Sequence, residues 1–180
     1  MNESMDEAAK LALFEQTIVP HMNAAYNIAL WLTRNAHDAE DVVQEAYLRA
    51  FRFFGGFNGN DGKAWLLTIV RNTCLTWLRR GQANGQAVTF DEQTHSPDRE
   101  RTNPEVMLLG KSDLLRLREC VEALPLDYRE IVVLRELEEL SYREIADIAG
   151  IPLGTVMSRL SRGRKRLEDC VAARTNGGTT

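Results

Sequence analysis

Between Leu140 and Pro152 the chain carries its densest helix punctuation, and this punctuation constrains the fold around it. Ser141 can cap a helix and Glu144, three residues later, completes a capping box; losing such a cap costs ~1 kcal/mol. Ile145, Ile148 and Ala149 give a short helix its apolar stripe. Gly150 suits the left-handed position that ends that helix, and Pro152 blocks its continuation. A second helix is predicted from Leu153 or Gly154, with Val156, Leu160, Gly163 and Leu167 on its inward side. Thr155, Ser158, Arg159, Arg162 and Arg166 fall on the other side. That face can donate to phosphates and base edges, and an α-helix fits the major groove of B-DNA. The bland alternative is a solvated basic helix closing a helical domain, which leaves the coincidence of cap, turn and arginine face without a reason. The pattern predicts a helix-turn-helix.

Charge distribution narrows the class further. A formal net charge of -4 and a pI near 5.5 argue against coating DNA through bulk charge. The bases are instead clustered. Arg159, Arg162, Arg164, Lys165 and Arg166 occur together without acids, and so do Lys63, Arg71, Arg79 and Arg80. Two basic surfaces set in an acidic chain predict weak non-specific DNA binding and dependence on a partner. Cys74, Cys120 and Cys170 form no C-x-x-C pair and read as buried reduced thiols. His21, His37 and His95 have no metal-ligand spacing. With no signal peptide or transmembrane run, the expected location is cytoplasmic, without membrane insertion.

The first half reads as helices. Leu11, Phe14, Ile18, Met22, Tyr26, Ala29 and Leu30 give residues 8–32 a helical pattern that Pro20 should kink or break. Asn35 to Asp38 makes a turn opening an amphipathic helix, DAEDVVQEAYLRAFRFF, in which Val42, Val43, Ala46, Tyr47, Ala50 and Phe54 face inward. Asp41, Gln44, Glu45, Arg49 and Arg52 lie on its polar side, which by itself reads as a solvated face. Gly55 to Gly62 is a glycine- and asparagine-rich loop in which Phe57 either plugs the adjacent core or stacks on an unpaired base. From Lys63 to Arg80 another helix packs through Leu66, Ile69, Val70, Thr73 and Trp77. Thr68, Asn72, Thr76 and Arg79, flanked by Arg71 and Arg80, make a face suited to nucleic acid.

Residues 81–110 are polar, with glycine and proline, and read as a flexible linker with a short helix after Pro104. Ser112 should cap a helix through Leu124, Pro125 breaks it, and a further helix is predicted from Asp127 to Glu139. The fold class is therefore all-α: two small helical domains, residues 1–80 and 111–174, joined by that linker. The second ends in the helix-turn-helix, and residues 175–180 form a disordered tail.

DAEDVVQEAYLRAF, WLLTIVRNTCLTWLRR and ALPLDYREIVVLRELEELSYREIADIAGIPLGTVMSRLSRGRKRL, in this order, resemble the blocks of an extracytoplasmic-function sigma factor, a small two-domain member of the sigma-70 family. The resemblance implies that Asp41, Gln44 and Glu45 dock on the clamp helices of the largest subunit of core RNA polymerase. It implies that the loop at Gly56, Phe57 and Asn58 holds a base flipped from the minus-ten element, with Asn72 lining the pocket. Arg71, Arg79 and Arg80 would contact phosphates there. Thr155, Ser158, Arg159 and Arg162 would read the minus-thirty-five duplex, with Lys165 and Arg166 on phosphates. Promoter DNA, core polymerase and an anti-sigma factor are the partners it implies.

Linker reach adds a physical condition. About 25 base pairs separate such elements, roughly 85 Å at ~3.4 Å per step. A coil of about thirty residues averages only ~30 Å between its ends. Bridging both elements needs an extended linker, which core polymerase would hold. The competing readings are a stand-alone helix-turn-helix regulator, a serine recombinase and a sigma-like decoy that sequesters an anti-sigma factor. The recombinase needs a nucleophile, and Ser4 is the only serine before Ser96. The decoy has no use for Phe57, Asn72 and the arginine face. With no catalytic constellation or cofactor motif, the sequence predicts a non-enzyme without cofactor.

Overall fold

The computed structural model describes residues 2–59, 61–83 and 111–176, and all regular structure among them is helical. In the N-terminal unit α1 is Asn2–Thr17, α2 Met22–Thr33, α3 Ala36–Phe53 and α4 Gly62–Ala83. The C-terminal unit contains α5 (Lys111–Ala123), α6 (Leu126–Val132), α7 (Tyr142–Ala149) and α8 (Leu153–Asn176). Of the expected linker, residues 81–83 instead continue α4, and the rest, with the short helix after Pro104, lies outside the described residues; α8 likewise takes in residues 175 and 176 of the expected disordered tail.

Local chemistry accounts for most boundaries. Pro20 breaks the first helical stretch as expected, leaving a single 3₁₀ turn at Val19–His21 between α1 and α2. Asn35 starts α3 by accepting the Asp38 amide at 3.0 Å. Two boundaries differ from expectation. Ser112 lies inside the first turn of α5 and does not precede it. The helix predicted from Asp127 to Glu139 is α-helical only to Val132 and continues as a π-helical stretch, Val133–Leu137. Hydrophobic periodicity does not report such a change of hydrogen-bond register.

Ala25, Ile28, Ala29 and Leu32 of α2, Val42, Ala46 and Ala50 of α3, and Leu66, Leu67 and Val70 of α4 build the N-terminal core. In the C-terminal unit Ile131, Leu134, Ile145, Ile148, Val156 and Leu160 are buried. Gly163 lets α8 approach α6 closely: a Cβ there would stand 2.8 Å from Val132 Cγ2.

The cysteines correct the sequence reading. Cys74 is a buried free thiol as expected, whereas Cys120 of α5 and Cys170 of α8 form a disulfide. No local spacing foreshadows it, because the two are 50 residues apart and meet only when α8 lies along α5. A cross-link closing a loop of that length stabilises by about 4 kcal/mol in the chain-entropy treatment.

The two units also pack on each other, α2 against α6 and α4 against α7. Arg129 of α6 is buried at their junction. Its Nη1 donates to the carbonyls of Glu122 (2.9 Å) and Leu124 (3.0 Å), and its Nη2 to that of Leu32 (3.4 Å) at the end of α2. Burial pulls its guanidinium down to about 10, still charged at neutral pH. Arg34, in the left-handed conformation at the C-cap of α2, donates to Glu122 O at 3.4 Å. Arg71 of α4 forms a mostly buried ion pair with Glu130, and Lys63 pairs with Glu138 at 3.2 Å.

Gly163→Val should lower stability by about 1–3 kcal/mol through overpacking against Val132. Gly154→Ala, with nothing within 4 Å of the added Cβ, should leave it unchanged or raise it slightly. Urea midpoints measure both, and equal midpoints would contradict the close approach of α8 and α6.

Candidate nucleic-acid and partner interfaces

The helix-turn-helix is built as its residues dictate. The Ser141 amide donates to Glu144 Oε2 at 2.6 Å, and the Glu144 amide donates to Ser141 Oγ at 3.2 Å, a complete capping box. Gly150 closes α7 with φ 65°, in the left-handed region that glycine tolerates best. The chain turns through Ile151 and Pro152 into α8. Val156, Leu160 and Gly163 are buried and Leu167 is half-buried, so the opposite face of α8 is fixed outward.

On that face Ser158, Arg162, Lys165 and Arg166 are exposed, while Thr155 and Arg159 are half-buried. Arg159 is held by Asp127 at 3.2 Å, and the Arg166 guanidinium stands 5.1 Å from the Tyr128 ring centroid. The Ser158 hydroxyl donates to Thr155 O at 3.1 Å. Lys165 pairs with Asp169 at 3.0 Å, which holds its ammonium above the usual lysine range. Arg162 makes no ion pair among the described residues. The six residues singled out by sequence therefore share one helix face, four of them exposed and two half-buried.

On the N-terminal unit, Asp41, Gln44 and Glu45 line one groove of about 410 Å³ between α3 and α4. Leu48, Trp77 and Arg80 complete its wall. Glu45 also accepts from Arg49 Nε at 2.7 Å. Leu48 escaped the sequence reading although it is 70% exposed. A large apolar residue on an otherwise polar helix face was the available signal. Trp77, expected in the core, is only partly buried, and burial raises the carboxyl of Asp38 above its ordinary value.

The loop residues are divided. Gly56 and Asn58 are exposed. Phe57 is half-buried, stacked on Phe54 at 5.6 Å and 15°, with Trp65 at 5.1 Å. Of its two readings, the core plug is the one this conformation adopts. Asn72 and Arg79 are exposed on α4, in register with Trp65 at intervals of seven residues, or ~10 Å of rise. Arg71 is not on that open face, because Glu130 engages it. α7 of the helix-turn-helix packs against α4, the helix that follows this loop.

A family model for sigma-70 region 2 matches residues 17–84, and one for sigma-70 region 4 matches residues 114–167. The ECF RNA polymerase sigma factor SigE of Mycolicibacterium smegmatis is 33% identical over 172 residues, covering 94% of this chain and 66% of that protein, just under two thirds. The ECF RNA polymerase sigma-E factor of Escherichia coli is 36% identical over 141 residues, covering 74% of each chain. Among solved structures, the sigma factor RpoE in complex with the anti-sigma factor NepR from Bartonella quintana superposes with a TM-score of 0.74. Its identity is 29%, over 88% of this chain and 96% of that one. CnrH, in complex with the cytosolic domain of CnrY, shares the fold at a TM-score of 0.63 and 22% identity.

Ser141→Ala should cost about 1 kcal/mol of stability. Hydrogen bonds from Ser141 hold the Glu144 carboxyl below its ordinary value. Its contribution is then fully present above the unfolded carboxylate pKa and is lost as pH falls through the lower folded value. The urea-midpoint gap between wild type and Glu144→Gln should accordingly shrink from pH 7 to pH 3. A gap that does not change with pH would show that the carboxylate does not cap α7.

Proposed function

Because the chain belongs to the extracytoplasmic-function sigma factors of the sigma-70 family, we propose that it binds core RNA polymerase and directs initiation by reading two promoter elements. The observation that carries this reading is the pairing, in one chain, of a capped helix-turn-helix with a second helical unit. In that unit Asp41, Gln44 and Glu45 line a single groove. That groove takes the clamp helices of the polymerase largest subunit, with Leu48 and Trp77 giving it an apolar contact. Its site of action is the cytoplasm, beside the polymerase. Among the described residues no helix is long and apolar enough to cross a membrane.

In this reading Thr155, Ser158, Arg159 and Arg162 face the minus-thirty-five duplex, where each bidentate contact contributes ~1–3 kcal/mol of discrimination. Lys165 and Arg166 hold phosphates and add salt dependence. Gly56, Phe57, Asn58 and Asn72 take the flipped minus-ten base, and Arg71, Arg79 and Arg80 its backbone. Flipping costs a few kcal/mol, which stacking must offset, so Phe57 has to present ring surface that now lies on Phe54 and Trp65. Elements roughly 85 Å apart at ~3.4 Å per base pair cannot both be met by the packed form. The units therefore separate on the polymerase, releasing Arg71 from Glu130. An anti-sigma factor, a partner of the kind named for the Bartonella sigma factor, acts on this chain by holding the packed form. A stand-alone regulator has no use for the groove on α3.

Run-off transcription with core polymerase on a promoter library tests the whole reading. Arg159→Ala should lose discrimination at the upstream element while keeping polymerase binding. Asn72→Ala should lower the yield of open complex on a fully matched promoter. Transcription from the same promoters by core polymerase alone, or promoter affinity unchanged by core, would refute it.

A further inference from the structure

We propose that the Cys120–Cys170 bond is a redox-sensitive clasp fastening the last turns of the reading helix to the first helix of the C-terminal unit. The proposal builds on the cytoplasmic site of action given above. Disulfides are rare in reducing compartments, and those that form there usually come and go with the redox state. Here two cysteines far apart in sequence are brought to bonding distance by a helix pair whose other described side-chain link is the Arg174–Glu119 ion pair. An exposed ion pair of that kind contributes little. The clasp is therefore a far stronger link than that ion pair where α8 runs past Leu167 along α5.

Its position gives it leverage in two directions. On α8 it lies beyond the reading face, so Thr155 to Arg166 keep their places whichever state the sulfurs adopt. On α5 it lies two residues before Glu122, whose carbonyl accepts from both Arg34 and Arg129 at the junction of the units. The clasp thus joins the end of α8 to the helix whose last carbonyls meet the junction of the units. With the bond closed, α5 and α8 move together. With it open, α5 can leave α8 while the core around Ile145 and Val156 persists.

The chemistry balances as thiol–disulfide exchange with a small monothiol. Its thiolate attacks the sulfur of Cys170, the less buried of the two residues, and the Cys120 sulfur leaves as thiolate and takes a proton. A second monothiol then attacks the mixed disulfide, releasing the Cys170 thiol and the oxidised small disulfide. Two electrons and two protons pass to the protein. The exposure favours this order, because Cys120 is buried and Cys170 is not. Cys74 takes no part: it is buried in the other unit, and burial pushes its thiol up to about 12.

The full-length chain equilibrated in glutathione buffers, from oxidising to strongly reducing, provides the test. It is read by quenching and unfolding each sample in denaturant, alkylating and counting the modified thiols in the mass spectrum, and by thermal unfolding of the untreated samples. Oxidised protein should show alkylation at Cys74 alone, and reduced protein at all three cysteines. Reduction should lower the unfolding midpoint by at least roughly 10 °C. Cys120→Ser and Cys170→Ser should melt at the reduced midpoint in either buffer, whereas Cys74→Ser should keep the full shift. Three alkylated cysteines at every poise overturn the proposal, as does a bond that survives the most reducing buffer or a shift that follows Cys74. None of these readouts requires polymerase, so they stand apart from a failure of the promoter-reading proposal.

Discussion

The buried guanidinium of Arg129 is the constraint on which the packed arrangement depends. It satisfies carbonyls at the ends of two helices from different units, Leu32 of α2 and Glu122 and Leu124 at the end of α5. Helix ends leave carbonyls without intrahelical partners, and such groups are costly when shut away from water. A charged donor at this point makes burial of both ends tolerable, each bond contributing about 1.5–3 kcal/mol. Its Nε has no hydrogen-bond partner, so the arrangement is not fully satisfied. The pairs Arg71–Glu130 and Lys63–Glu138 extend the same junction along α4.

That junction sets what the interfaces can do. The groove on α3 and the outward face of α8 lie away from it, with Gln44 and Glu45 on the one and Ser158, Arg162, Lys165 and Arg166 on the other exposed. Arg71 and the end of the glycine-rich loop lie within it. The same contacts that stabilise the free chain therefore occupy part of the surface assigned to melted DNA. A mostly buried ion pair is a suitable element for this purpose, because its desolvation cost nearly cancels its attraction. Exchanging Glu130 for a DNA phosphate gives Arg71 an equivalent partner, so opening need not leave its charge unpaired.

Much of this was legible in the sequence wherever a local rule has one structural solution. The capping box at Ser141 and Glu144, the left-handed Gly150 and the inward line Val156, Leu160 and Gly163 all occur as read. So do the amphipathic α3, opened at Asn35, and the break at Pro20. What escaped depends on contacts between residues far apart in the chain. The Cys120–Cys170 bond, the Arg129 carbonyl cluster and the engagement of Arg71 each need a three-dimensional neighbour that no periodicity supplies. Phe57 shows the same limit, since only its neighbours Phe54 and Trp65 decide whether the ring faces core or solvent.

The central claim is that one chain holds two promoter readers packed together when free and parted on the polymerase. The distance between dyes placed on exposed positions of α3 and α8, measured by energy transfer in a single full-length chain, tests it most directly. Free protein should give high transfer. In the open promoter complex with core polymerase, transfer should collapse as the separation grows toward the roughly 85 Å that ~3.4 Å per base pair imposes. High transfer retained in a transcribing complex would contradict the account.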